Sequence, residues 1–232
     1  MKTSLLRYFV FFLITAYFFP ISLVHAQELS YLASKPDIFI STPDRLVTNT
    51  GDKSYGGSIY LEETFNAAKI GESAKLYPLR YNAFDDEMEV RDPKGIFYLQ
   101  KFMGTPIYFG DLGKTYILLE YKEKSKIKKG YFVLLTTKGN LIALLKEKIT
   151  LKPEVKQKTH WSAYKPPTYT KSKDKFYYLN KNNIAAPIST TRKHFMKLFS
   201  KEDKNIAKYI KDNDLDFRKK KDLIMIVDYY NN

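Results

Sequence analysis

The sequence predicts an α+β protein: an antiparallel sheet of six or more strands, partly covered by about three C-terminal helices. Three observations lead there. From residue 57 to 151, short runs rich in aromatic and β-branched residues are separated by turn clusters of Gly, Asp, Asn and Pro, the pattern of hairpins. The connections are short, which favours antiparallel neighbours. After residue 190 the apolar spacing changes from alternation to three and four, the period of a helix.

Residues 1–26 read as a secretory signal peptide. Lys2 and Arg7 precede an uncharged, mostly apolar run from Tyr8 to Phe19, Pro20 breaks it, and Val24-His25-Ala26 offers a small-residue cleavage site before Gln27. The expectation is an exported protein, periplasmic or extracellular, cleaved after Ala26. An uncleaved anchor is the rival, since Tyr8 to Val24 is at the short limit for a span, which needs about 20 apolar residues. Residues 27–56 are an irregular lead-in with Pro36, Pro43 and an Asn49-Thr50-Gly51-Asp52 turn cluster.

The β-rich region, 57–151, contains one hairpin whose register can be derived. With residues 84 and 85 in the turn, Leu79 faces Val90, Tyr81 faces Met88, Arg80 faces Glu89 and Asn82 faces Glu87. One face is then apolar and the other polar, and a one-residue slip would destroy that segregation. Arg80 and Glu89 are expected to form an ion pair on the solvent face, and Asp85 and Asp86 to be a solvated tip. Later, Tyr131 to Leu135 and Leu141 to Leu145 do not alternate, so both faces of that hairpin must be covered. The C-terminal helices are the expected cover.

Residues 152–189 read as a basic connector with a short strand at Phe176 to Leu179. Residues 190–232 carry helical spacing: Phe195, Leu198 and Phe199; Ile206 and Ile210, with Asp203 as in a capping box; and Leu223, Ile226, Val227 and Tyr230. Thr190-Thr191 can cap the first of these and Asp216 the last.

The chain has no cysteine, which excludes disulfides, thiolate metal sites and cysteine nucleophiles. Charge is divided unevenly. Residues 27–121 hold 10 Lys plus Arg against 14 Asp plus Glu, a net of −4; residues 122–232 hold 27 against 11, a net of +16. A basic half of this size suits an anionic surface or partner, although lysines also keep a tyrosine-rich surface soluble. Within it, Lys156, Lys158, Trp161, Tyr164, Lys165, Tyr169, Lys171, Lys173 and Lys175 interleave cations with aromatic rings, a mixture that binds polyanions and sugars. Lys219, Lys220 and Lys221 form a second run at a helix start, where cations oppose the macrodipole. These twelve residues are the candidate binding set.

No phosphate-binding glycine loop, nucleophile elbow or zinc-protease motif is present, and no cofactor or metal site is read. That favours a non-catalytic binding or scaffold module with a basic surface. Its expected partner is an anionic envelope component: a polysaccharide, a lipid headgroup or a protein. Export argues against intracellular nucleic acid, and peripheral membrane contact is compatible with the charge. The alternative is an extracytoplasmic hydrolase using the carboxylates at 85–89 or His160. A signal-anchored subunit of an envelope complex is a third reading.

Three stretches carry a resemblance: Gly57-x-x-Tyr60-Leu61-x-x-x-Phe65, Leu79-Arg80-Tyr81-Asn82-x-x-x-Asp86-x-Met88-Glu89-Val90, and Tyr131-Phe132-x-Leu134-Leu135. They resemble a group of small, uncharacterised exported bacterial proteins in which a β-rich region precedes a lysine-rich helical tail ending near a Tyr-Tyr-Asn such as Tyr229-Tyr230-Asn231. The resemblance implies compartment and two-part layout, and no catalytic residues.

Overall fold

The computed structural model describes residues 51–52, 54–123, 126–157, 163–179, 182–199 and 204–232. The signal peptide, most of the lead-in, Lys158, His160, Trp161 and Asp203 lie outside the described residues.

Ten strands form one sheet: β1 (Asn66–Ile70), β2 (Leu76–Asn82), β3 (Glu87–Asp92), β4 (Gly95–Tyr98), β5 (Pro106–Phe109), β6 (Lys114–Glu123), β7 (Lys126–Leu134), β8 (Ile142–Lys146), β11 (Lys175–Leu179) and β12 (Ile184–Pro187). A separate antiparallel pair comprises β9 (Ile149–Lys152) and β10 (Thr168–Lys171). Three short helices close the chain: α1 (Arg192–Phe195), α2 (Lys204–Asp212) and α3 (Lys220–Asn231), with a 3₁₀ turn at Met196–Leu198.

The large sheet is not the simple antiparallel one expected. Its order is β12-β11-β8-β7-β6-β5-β1-β2-β3-β4, and β12 also pairs with β6. Strands β6, β7, β8, β11 and β12 therefore close into a five-stranded barrel. The closing contact, Ile184 with Glu120 and Ala185 with Tyr121, is parallel. The segment read as a connector with one short strand supplies three strands, two of which complete the barrel wall.

Closure explains the runs that fail to alternate. One face of the β6–β7–β8 wall points into the barrel, where Leu119, Tyr121, Phe132, Leu144, Tyr177 and Ala185 pack together. From the opposite face Tyr116, Leu118, Tyr131, Val133 and Leu145 join Leu79, Tyr81, Met88 and Val90 in a second core. The helices cover only part of the outer wall. Phe195, Phe199, Ile206, Ile210, Phe217, Leu223, Ile226 and Val227 pack with Leu141 and Ala143 of the β7–β8 hairpin. The expected cover is thus shared between the helices and the sheet's own curvature.

The first hairpin has the register derived from its sequence, Leu79–Val90, Arg80–Glu89, Tyr81–Met88 and Asn82–Glu87. Asn82 Oδ1 accepts the N–H groups of Phe84 and Asp85 at 3.1 and 3.0 Å, the local bonding that makes Asn a turn former. Glu89, however, is fully buried and not on a solvent face. The segment just before β1 covers it: Arg80 pairs with Glu89 at 2.6 Å while its guanidinium lies 3.6 Å from the Tyr60 ring centroid and 4.3 Å from that of Phe65.

Helix starts differ in detail. Thr191 occupies the N-cap of α1 without a side-chain cap bond, and its Oγ1 meets His194 Nδ1 at 2.8 Å. Lys219, not Asp216, is the N-cap of α3; Asp216 Oδ1 accepts from the Arg218 N–H and guanidinium. At the other end of α3, Asn231 donates to the carbonyls of Lys138 and Leu141 and accepts from the Leu141 N–H. This clamp ties the end of the helical region to the β7–β8 turn, where Gly139 has φ 93°.

Candidate functional site

Inward-facing positions alternate along β8, so Ile142 and Leu144 enter the barrel and so does Lys146, at the end of the strand. Its ammonium is nearly buried, with side-chain exposure of 9%. It bonds Asp86 Oδ2 at 2.5 Å and the Tyr131 carbonyl at 2.9 Å. It also sits 5.0 Å from the Phe132 ring centroid and 5.5 Å from that of Tyr121. Burial lowers its pKa, and Asp86 opposes that shift.

Asp86 comes from the β2–β3 turn and is not a solvated tip. Its backbone is left-handed, φ 61°, and its Oδ1 accepts from the Tyr81 hydroxyl at 2.7 Å and the Tyr131 N–H at 3.1 Å. Gly130 makes room for the pair: a Cβ there would run into Asp86 Oδ2 and lie 2.6 Å from Lys146 Nζ.

The next residue, Glu147, points to the other core. It is buried and accepts from Lys114 Nζ at 3.0 Å and the Tyr116 hydroxyl at 2.6 Å. Burial, more than the neighbouring carboxylates, raises the pKa of Tyr81 and Tyr116 well above the ordinary value. Tyr121 is pushed up to about 12, again chiefly by burial. All three hydroxyls are therefore protonated donors at neutral pH.

Lys146 forms the floor of a cavity of about 290 Å³ at this end of the barrel. Tyr121 and Tyr177 share the floor. Phe84, Thr150 and Ser172 line its walls, and Asp85, Glu123, Lys148, Lys173 and Lys175 its rim. The Thr150 and Ser172 hydroxyls are 3.3 Å apart. Each carboxylate here has a protein partner: Asp85 accepts from Asn82, Asp86 from Lys146, Glu123 from Lys128 and Glu147 from Lys114. Lys128's hydrogen bond is the main cause that holds the Glu123 carboxyl below its usual range; Lys148 and Lys175 add to it through their charge. Among the described residues, no carboxylate lies within ion-pair distance of Lys148, Lys173 or Lys175.

The structure divides the candidate binding set. Lys173 and Lys175 reach the barrel mouth. Tyr169 is buried in the core against Tyr55 and Phe84, and its hydroxyl accepts the Asp52 N–H; what remains open of it lines a separate depression with Tyr55 and Arg80, not the barrel mouth. Lys156 and Tyr164 are exposed and both meet Glu154, at 3.6 and 3.3 Å. Lys165 is exposed and pairs with Val155 through its backbone, and Lys171 lies 3.5 Å from Asp174. Lys219, Lys220 and Lys221 are exposed at the start of α3; Lys219 lines a different depression with Arg192 and Asp214. Lys158 and Trp161 lie outside the described residues.

Sequence reasoning missed Lys146, Lys148, Tyr121, Tyr177 and the part played by Asp86. Two signals were present: a lysine in phase with Ile142 and Leu144, and a glycine, Gly130, within a strand, which marks a close approach. Among the described residues no group of three or more His, Asp or Glu could hold a metal ion, and no helix is long and apolar enough to cross a membrane. Comparison with protein-family models, curated proteins and solved structures finds no match.

Proposed function

We propose that the chain is an exported, non-catalytic binding module that takes an anionic envelope partner at the open end of its barrel. The observation that carries this reading is a cross-strand pair of like charges. Lys146 and Lys175 stand directly opposite each other where β8 pairs with β11. Like charges in that position are destabilising; Asp86 already offsets the Lys146 charge, and an anion at the mouth offsets that of Lys175. The three rim lysines, which have no carboxylate within ion-pair distance among the described residues, and the +16 of residues 122–232 act in the same direction.

Export rests on residues 1–26 and on the resemblance to exported bacterial proteins. The hydrolase reading has less behind it. Asp86 is held by a lysine, a tyrosine and a backbone N–H, as a structural acceptor would be, and Glu87 is paired with Lys101 at 2.5 Å.

The test is binding to an immobilised acidic polysaccharide, with a neutral dextran as control, across a salt series. Retention on the acidic matrix should weaken steeply as the screening length falls below its ~8 Å at physiological salt. Lys148→Glu combined with Lys175→Glu should abolish it. Equal retention on both matrices, or retention unaffected by salt and by the rim variant, contradicts the proposal.

A further inference from the structure

We infer that the barrel mouth is built for a single acidic sugar unit, a polyhydroxylated ring bearing one carboxylate. This inference rests on the anion-binding reading above and names the ligand class.

Size sets the first limit. At about 290 Å³ the cavity is at the low end of the ~300–1,000 Å³ typical of ligand pockets. It suits one small ring and not a stacked run of rings.

The lining sets the second. Lys146, Lys148, Lys173 and Lys175 supply positive charge, yet Asp85, Asp86, Glu123 and Glu147 stand beside them. A compact dianion such as phosphate would be repelled by those carboxylates. A monoanion rich in hydroxyl groups meets both kinds of neighbour: its carboxylate takes the lysines and its O–H groups donate to Asp85 and Glu123. A carboxylate has about four lone-pair sites, so accepting from Asn82 or Lys128 does not exhaust it.

The floor supplies the third. The Lys146 ammonium has three N–H donors, of which Asp86 and the Tyr131 carbonyl take two. The remaining donor belongs to a side chain about nine-tenths buried that lines the cavity. Thr150 and Ser172 can each donate or accept, which matches ring hydroxyls. Phe84 and Tyr177 offer apolar ring surface for the C–H face of a sugar.

The experiment is an amide-resolved NMR titration and calorimetry of the protein with D-glucuronate and D-galacturonate. D-glucose, inorganic phosphate and polygalacturonate serve as comparison ligands. The expected result is saturable uronate binding about tenfold or more tighter than glucose or phosphate, as loss of a charged hydrogen bond implies. Shifts should concentrate at Lys148, Thr150 and Ser172. Lys146→Met should remove the binding. Because that variant can also misfold, Lys175→Gln at the exposed rim is the second variant and should weaken uronate by about fivefold or more. Uronate binding no better than glucose, or phosphate displacing it, overturns the inference. If polygalacturonate binds through the rim lysines but the monomers do not, the sugar-unit inference fails and the anion-binding reading stands. If no anion binds, both fail. Monomer and polymer competing for the mouth, with the polymer no tighter per chain end, identifies a chain terminus as the source; a tighter monomer identifies the free sugar.

Discussion

Asp86 and Lys146 are 60 residues apart in sequence, and their side chains meet at 2.5 Å across the mouth of the barrel. The contact ties the β2–β3 turn of the open sheet to the last inward position of β8. One ion pair thus joins the two halves of the fold and forms the floor of the cavity. Replacing Lys146 by Met should destabilise the protein by about 3 kcal/mol, the low end of the cost of breaking a buried pair, because Asp86 is still 23% exposed. Urea denaturation measures it. A cost under about 0.5 kcal/mol, the scale of an ordinary surface substitution, would show that the pair holds nothing together.

Gly130→Ala should disturb the same pair without removing either charge. The added methyl collides with Asp86 Oδ2 and crowds Lys146 Nζ and the Tyr121 ring. Overpacking of this kind costs about 1–3 kcal/mol. Denaturation gives the stability change, and the Tyr131 N–H, which donates to Asp86 Oδ1, should lose hydrogen-exchange protection. Unchanged stability and protection would contradict the close approach.

Arg80→Lys should not be conservative. The guanidinium bonds Glu89 through two nitrogens, the Tyr60 hydroxyl at 2.9 Å and the Glu63 carbonyl at 3.0 Å, while stacked between two rings. An ammonium reproduces the charge and not the fork or the stacking. The expected loss is about 1–2 kcal/mol in urea melts, whereas Glu89→Ala, which leaves a buried cation, should cost about 3–5 kcal/mol. Equal stability of Arg80→Lys and the parent would remove the stacking argument.

How much of this was legible in the sequence differs between the two ends of the molecule. The register of residues 79–90 follows from local alternation and a turn, because a wrong register would put Tyr81 and Met88 on the polar face. The burial of Glu89 was not legible, since its cover comes from Tyr60 and Arg80, with Phe65 on the guanidinium, and no spacing says that the segment before β1 will fold back. Barrel closure was hidden for the same reason. Ile184 and Ala185 pair with Glu120 and Tyr121 in a parallel register, and backbone pairing between segments so far apart leaves no local pattern in the sequence. Tyr169 looked like a surface aromatic among lysines; its partners Tyr55 and Phe84 lie far off in sequence. Of the mouth, Lys173 and Lys175 were read from composition, while Lys146 looked like the solvent exit of an apolar strand.

Alkaline pH should weaken the fold through its buried tyrosines. Tyr81, Tyr116 and Tyr121 have folded pKa values raised above the ordinary 10, Tyr121 to about 12. Groups raised on folding bind more protons when folded, so their contribution is complete below pH 10 and declines as pH rises from about 10 towards 12. Denaturation midpoints should fall through that window, and Tyr121→Phe should fall less steeply than the parent. A parent and variant with the same slope would mean that Tyr121 does not stay protonated in the fold.

The most direct measurement of the central claim compares two triple charge reversals: Lys148, Lys173 and Lys175 to Glu at the barrel mouth, and Lys219, Lys220 and Lys221 to Glu at the start of α3. Both change the net charge equally, so long-range attraction falls alike, while only the first set lines the cavity. The observable is affinity for an acidic polysaccharide at constant salt. The account predicts that the mouth variant loses binding by about tenfold or more while the α3 variant keeps most of it. Equal losses in the two variants, or a larger loss from the α3 set, would contradict a binding site at the barrel mouth.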